Sequence, residues 1–263
     1  MPVFCPLELR RFDYNEFQKL DYLVMQHVFA SHNELGYLAN EQVYQGDLAA
    51  RLRTAGLDVD REVPIQISHR HWTKTLFLDF LVNAGAPYEL KRQTALNEAN
   101  TVQLLEYLYL LQLERGKLVN FGARSVQSEF INAAIPEEDR VCFDIDRSRY
   151  VGPDMWVSLV AELLQDVGLG LSLALYREAL VELLGGEAVV QQMLPMRRGK
   201  QSIGNQRVLV LDERSAFAVT ALTKGERAFG EQLRRLLRFS PLECLQWVNL
   251  GRGEVQFVTI DRG

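Results

Sequence analysis

Sliding the chain along itself by 129 residues lays Lys91 to Ile131 on Thr220 to Ile260 without a gap, and 13 of those 41 positions are identical. Among the identities are Gln103, Leu104, Leu108, Val119, Asn120, Gly122 and Gln127, which meet Gln232, Leu233, Leu237, Val248, Asn249, Gly251 and Gln256. An offset of 132 then brings Gly36, Tyr44, Leu48 and Leu52 onto Gly168, Tyr176, Leu180 and Leu184. A repeat of this size constrains the chain more than composition does, because both halves must suit one fold. At 263 residues there is room for two domains of ordinary size. The stretch between the copies is polar, with Pro136-Glu-Glu-Asp-Arg and Gly152-Pro153. The expected division is a first domain over 1–135, a linker over 136–153 and a second domain over 154–263.

Hydropathy patterns supply the elements of the first copy. Phe17, Leu20, Val24 and Val28 recur at helical spacing behind a capping Asp13 or Asn15, and Gly36 ends that helix. A second helix is expected from Asn40 to Ala55 with Val43, Leu48 and Leu52 inward, and Gly56 as its stop. Val59 to Ile67 alternates as a strand that Pro64 confines to an edge or a bulge. Two strands follow, then a helix from Asn97 to Arg115 presenting Val102, Leu105, Leu108 and Leu113, then a strand at Leu118 to Phe121. Helix, helix, three strands, helix, strand describes an α/β layer with a mixed sheet, repeated in tandem.

The chemistry of the first copy gathers around the strand pair joined by Asn83-Ala-Gly-Ala-Pro87. Asp79 is the one charge in the apolar run Phe77 to Val82, and a period of two puts Glu89 and Lys91 on one face of the next strand. Hairpin neighbours would bring the three together at the end of the sheet. Two carboxylates, with the backbone carbonyl of Leu90, form an oxygen-rich site for a hard divalent cation such as Mg²⁺. Lys91 could then position the attacking water or stabilise charge on a phosphate. Glu41 and Tyr44 lie one helical turn apart and could add a ligand and its support, while Gln103 and Tyr107 share a line on the third helix. The same charges could instead form a buried ion network in a non-catalytic scaffold.

The second copy lacks this set. Glu41 aligns with Leu173, Asp79 with Val208, Glu89 with Ala218 and Lys91 with Thr220. A frame that folds without the four charges does not need them for folding, which points to a functional role for them in the first copy.

Composition excludes several classes. No run approaches the ~18 apolar residues of a membrane span, and the start lacks the pattern of a signal peptide, so a cytoplasmic protein is expected. Cys5, Cys142 and Cys244 are too dispersed for a disulfide framework or a thiolate zinc site, and are expected to be buried. Net charge is −5, with no long Lys/Arg run, which counts against tight nonspecific binding to DNA.

Taken together, His32-Asn-Glu-Leu-Gly36, Glu41-Gln-Val-Tyr44, Arg61-Glu-Val-Pro64, Asp79, Glu89-Leu-Lys91, Gln103-Leu-Leu-Glu-Tyr107 and Val119-Asn-Phe-Gly122 resemble the GxxExxY proteins of the PD-(D/E)xK nuclease superfamily. The Gln-x3-Tyr pair is also similar to the motif after the catalytic lysine in RecB-type nucleases. One departure is Leu38, where the family has a glycine; Gly170 stands there in the copy. The resemblance implies two tandem PD-(D/E)xK-like domains, each a mixed sheet flanked by helices. It implies Mg²⁺ or Mn²⁺ on Asp79 and Glu89, a ligand or supporting role for Glu41, and Lys91 orienting water and transition state. Gln103 and Tyr107 would face substrate or brace the site. The implied activity is hydrolysis of a phosphodiester in nucleic acid, DNA foremost, with an inactive second domain for substrate or partner binding and a homodimer or internal pseudo-dimer as the assembly. The alternative is a pseudonuclease scaffold that binds nucleic acid or protein without cleaving.

Overall fold

The computed structural model describes residues 2–262. The chain divides into two compact units, one made of residues up to Ser68 together with Lys74–Pro136, the other of His69–Thr73 and the residues from Glu137 onward.

In the first unit a short strand β1 (Val3–Phe4) precedes helices α1 (Tyr14–Leu35) and α2 (Glu41–Thr54). Asp13 caps α1 by accepting from the Glu16 amide, and Glu16 returns the bond to the Asp13 amide. Strands β2 (Val59–His69), β3 (Trp72–Val82) and β4 (Ala86–Lys91), helix α3 (Glu98–Leu111), and strands β5 (Arg115–Asn120) and β6 (Gln127–Asn132) follow. The sheet order is β1-β2-β3-β4-β5-β6. β4 runs antiparallel to β3, parallel to β5 through the α3 crossover, and β5 antiparallel to β6. β1 covers β2 only at Gln66 and Ile67, which leaves Pro64 on the open edge its missing N–H requires. Phe17, Leu20, Val24 and Val28 of α1, with Tyr44, Leu48 and Leu52 of α2, close over Phe80, Val82, Tyr88 and Leu90 as one core.

The second unit begins with α4 (Glu137–Val141) and β7 (Asp144–Arg149). These fall in the stretch expected as a linker, and β7 joins the second sheet parallel to its last strand. Its residues are mostly exposed, so it has no hydropathy alternation to announce it. Then come α5 (Asp154–Val167), α6 (Leu173–Leu183), α7 (Glu187–Val190), β8 (Gln191–Arg198), β9 (Gln201–Val210), β10 (Ser215–Thr220), α8 (Glu226–Phe239), β11 (Cys244–Leu250) and β12 (Glu254–Asp261). The sheet order is β7-β12-β11-β10-β9-β8.

The two sheets share a register. Phe80 faces Tyr88 as Leu209 faces Phe217; Lys91 faces Asn120 as Thr220 faces Asn249; Asn120 faces Gln127 as Asn249 faces Gln256. Every one of these pairs differs by 129. Asp79 and Val208 are therefore equivalent positions, and the change of offset from 132 to 129 falls upstream, where the first unit has three residues more between Leu52 and Asp79 than the second has between Leu184 and Val208. Further upstream the Tyr44 hydroxyl donates to the Gly36 carbonyl at 2.6 Å, as that of Tyr176 does to Gly168 at 2.6 Å.

Some inward assignments need correction. Val43 and Val102 are exposed, because Tyr44 and Leu104 take the core-facing positions beside them. Cys142 is exposed and Cys5 and Cys244 are only partly covered, so the cysteines are not buried hydrophobes. No helix among the described residues is long and apolar enough to cross a membrane.

Candidate active site

Asp79, Glu89 and Lys91 converge as the hairpin spacing predicts. The Asp79 carboxylate is fixed at both oxygens: Oδ1 accepts from Gln45 Nε2 at 3.1 Å and Oδ2 from the Leu90 amide at 2.8 Å. Glu89 Oε1 accepts from Lys91 Nζ at 2.6 Å. Its Oε2 is buried with no hydrogen-bond partner, and the Glu89 side chain is only 1% exposed. An unsatisfied buried carboxylate oxygen is unfavourable by about 1–3 kcal/mol or more, a cost that calls for an explanation such as a water, an ion or a catalytic role.

The electrostatics follow from this crowding. Burial raises the Asp79 carboxyl to about 6, against the lowering effects of the Leu90 amide and Lys91. Burial and then the charge of Asp79 raise Glu89 to about 8. Lys91 is pushed down by burial but carried above its ordinary value by Glu89, Asp79 and Glu41, and stays an ammonium. Two carboxyls driven toward protonation beside one ammonium make a pocket short of positive charge.

Glu41 stands at the start of α2, where Oε2 accepts from the Arg92 amide at 3.1 Å, one residue beyond Lys91. It lies close enough to raise both Asp79 and Lys91. Gln103 Nε2 donates to the Tyr107 hydroxyl at 3.1 Å, and that hydroxyl donates to the Phe77 carbonyl at 2.9 Å. The pair thus ties α3 to β3 two residues before Asp79, and burial raises the Tyr107 hydroxyl well above its ordinary value.

The side chains of two predicted residues lie in the core. Tyr44 is fully buried, stacked on Phe121 with ring centroids 4.5 Å apart, so it touches no substrate; it fixes the Gly36 turn that leads into α2. The Leu90 side chain belongs to the core, and the amide of Leu90 is the group that meets Asp79.

Sequence reasoning missed Gln45, which holds Asp79 and is itself approached by Arg61 Nη2 at 3.5 Å. The signal was present: Gln45 lies four residues after Glu41, on the same helical face. Asn120 reads in the sequence only as a shared frame residue. Its Oδ1 accepts from the Gln93 amide at 2.9 Å and its Nδ2 donates to the Gln93 carbonyl at 2.9 Å, clamping the chain as it leaves Lys91. Gly122 permits this, since a Cβ there would lie 2.5 Å from the Gln93 backbone.

The donor set fits a hard cation. Every candidate ligand is oxygen, and the orphaned Glu89 Oε2 points to a missing partner. Among the described residues no three His, Cys, Asp or Glu side chains form a ready cage. An ion that keeps several of its own waters, as Mg²⁺ does, would complete its shell with solvent.

At the equivalent place the second unit has a cavity of about 330 Å³, lined by Val208, Ala218, Phe229, Leu233 and Leu236 among others. Arg177, which takes the place of Gln45 at the offset of 132, donates to the Val219 carbonyl at 2.6 Å.

Residues 18–132 match the family model of the PD-(D/E)XK nuclease superfamily. The crystal structure of SSO0001 is similar at 19% identity, with a TM-score of 0.30, over 46% of this chain and 60% of that one. The chain therefore spans less than two thirds of the length of that relative. No curated protein matches the chain.

Proposed function

We propose that the first unit is a metal-dependent phosphodiester hydrolase acting on nucleic acid, with DNA as its substrate, and that the second unit is a catalytically inactive copy. The observation that carries this reading is the buried, partnerless Glu89 Oε2 beside Asp79 and the Lys91 ammonium. The match over residues 18–132 and the likeness of Glu41-Gln-Val-Tyr44 to the GxxExxY proteins support it.

In this reading Asp79 and Glu89 would hold Mg²⁺ or Mn²⁺, with Glu41 and the Leu90 carbonyl as further oxygens, and the ion would supply Lewis acidity for the phosphate and for water. Gln45 and the Leu90 amide keep Asp79 in one orientation, so its oxygens need no reorganisation when substrate arrives. Lys91, held by Glu89 Oε1, points an ammonium at the charge that develops on the scissile phosphate. Gln103 and Tyr107 brace β3 against α3 beside the substrate. The second unit acts as an internal pseudo-dimer partner or substrate holder.

The test is cleavage of supercoiled plasmid, single-stranded DNA and RNA with Mn²⁺ or Mg²⁺, alongside a melting curve with and without the ion. Cleavage abolished by Asp79→Ala is the expected result, with a melting temperature raised by the ion as RT ln(1+[L]/Kd) requires, about 2.7 kcal/mol at a hundredfold excess over Kd. Inert wild type with an unmoved melting temperature would leave the four charges as an ion network and the protein as a non-catalytic scaffold.

A further inference from the structure

Between Glu187 and Asp212 the sequence has four cations, Arg197, Arg198, Lys200 and Arg207, and no carboxylate, in a chain of net charge −5. This stretch is the β8–β9 ribbon. Its strands pair antiparallel from Gln191 with Leu209 to Arg198 with Gln201, while β9 meets β10 only at Leu209 and Val210. Arg197, Arg198 and every residue from Gln201 to Arg207 are exposed. The distal half therefore presents one face to solvent, while on the other Leu194 packs on the core and Arg198 reaches over the end of α8.

Elsewhere Arg10, Arg51, Arg115, Arg147, Arg214 and Arg234 each sit on a carboxylate. None of the four ribbon cations makes an ion pair among the described residues. Arg198 lies over the Phe239 ring at 5.7 Å, at the end of α8 where Arg235 and Arg238 are also exposed. The corresponding β2–β3 ribbon of the first unit mixes signs, with Asp60, Arg61, Glu62, Lys74 and Asp79.

We propose that the β8–β9 ribbon is a duplex-DNA contact that enters the major groove. The groove of B-DNA, about 12 Å wide, admits a two-stranded β-ribbon, whereas the deep, narrow major groove of A-form RNA does not. Single-strand binding relies on aromatic stacking, and residues 188–210 contain no Phe, Tyr or Trp. The ribbon instead carries Gln201, Asn205 and Gln206 between its cations, side chains suited to base edges and phosphates. This inference rests on the reading of the chain as a nucleic-acid hydrolase and assigns the grip on its substrate to the unit without the chemistry.

The experiment is fluorescence anisotropy of a labelled DNA duplex with the full chain in EDTA, so that nothing is cut, over a range of salt. The combined variant Arg197→Ala, Arg198→Ala, Lys200→Ala should weaken binding tenfold or more. It should also lower the slope of log K against log salt by about 2–3, at ~0.9 for each phosphate that is no longer neutralised. A combined Arg→Gln and Lys→Gln set, checked for an unchanged melting temperature, answers the question if the alanine set misfolds. An unchanged affinity and slope would overturn the assignment, as would equal ribbon-dependent binding of single strands or duplex RNA, or a wild type that binds no duplex. Ribbon-dependent binding without cleavage in Mn²⁺ would keep the ribbon and remove the hydrolase; cleavage with binding indifferent to the ribbon would do the reverse.

Discussion

Asp79 and Val208 occupy one position in two sheets of the same register, and their surroundings have diverged in opposite directions. Around Asp79 the first unit packs Glu89, Lys91, Gln45 and Tyr107 into a crowded polar centre with an unsatisfied carboxylate oxygen. Around Val208 the second unit has Ala218, Thr220, Arg177 and Leu236, and a cavity of about 330 Å³ remains where larger side chains stand in the first. Thr220 has become a structural residue, its hydroxyl bonded to Asn249 and Trp247. Meanwhile the frame is shared: the tyrosine bond to the glycine turn and the asparagine clamp recur with nearly the same distances. The second unit keeps this frame with Val208, Ala218 and Thr220 where the first has Asp79, Glu89 and Lys91, so the fold does not need those charges. Desolvated carboxylates weigh against stability, and the second unit folds without them.

The sharpest way to break this comparison is Glu89→Gln, which keeps shape and removes the ionisable oxygen. Cleavage should fall by about 10²–10³ or more, the scale of losing a preorganised electrostatic group, while the metal-free protein melts at a higher temperature above about pH 8, where Glu89 carries its charge, and is little changed below it. A variant that melts lower and still cuts would make Glu89 a structural residue.

The converse substitution, Ala218→Glu, puts a carboxylate at a half-buried position of the second unit, in an open pocket that Arg177 and Arg207 also line. It should destabilise the chain by about 1–3 kcal/mol, read from denaturant midpoints, because partial burial costs more than a partly desolvated pair returns. A gain in stability would mean that Arg177 turns from the Val219 carbonyl to the new charge.

How much of this was legible in the sequence depends on where each residue gets its meaning. Asp79, Glu89 and Lys91 were readable because strand alternation and a short turn fix their faces. The repeat was readable because frame residues recur at two nearly equal spacings, 129 and 132. Gln45 and Asn120 matter through a partner distant in sequence, Asp79 and Gln93; helical spacing puts Gln45 on the face of Glu41 but does not name its partner, and nothing local marks the bond of Asn120. Tyr44 was misplaced for the same reason: its hydroxyl turns back to Gly36 rather than toward Glu41, although the paired recurrence of glycine and tyrosine hinted at it. β7 escaped because a polar strand at the sheet edge has no hydropathy signature.

The shared frame makes a third prediction. Asn120→Ala and Asn249→Ala should each cost about 2 kcal/mol, since each leaves an amide and a carbonyl of Gln93 or Leu222 unpaired. A much larger loss in one unit would show that the clamps are not equivalent.

A fourth prediction concerns the pH dependence of stability without metal. Folding raises Asp79 to about 6 and Glu89 to about 8 from ordinary values of 3.8 and 4.5, so the folded state holds these protons more tightly. Their contribution is fully present below about 4 and is lost as pH rises through about 6 and 8. The melting temperature should thus fall between about pH 5 and 8.5, and a combined Asp79→Asn, Glu89→Gln variant should flatten that slope.

The most direct measurement is plasmid nicking in Mn²⁺ by wild type, Lys91→Ala and Thr220→Ala under one set of conditions. The account predicts nicking lost in Lys91→Ala and within about twofold of wild type in Thr220→Ala, given the scale of a catalytic electrostatic group. Equal losses in the two variants, or full activity in Lys91→Ala, would contradict the placement of the chemistry in the first unit alone.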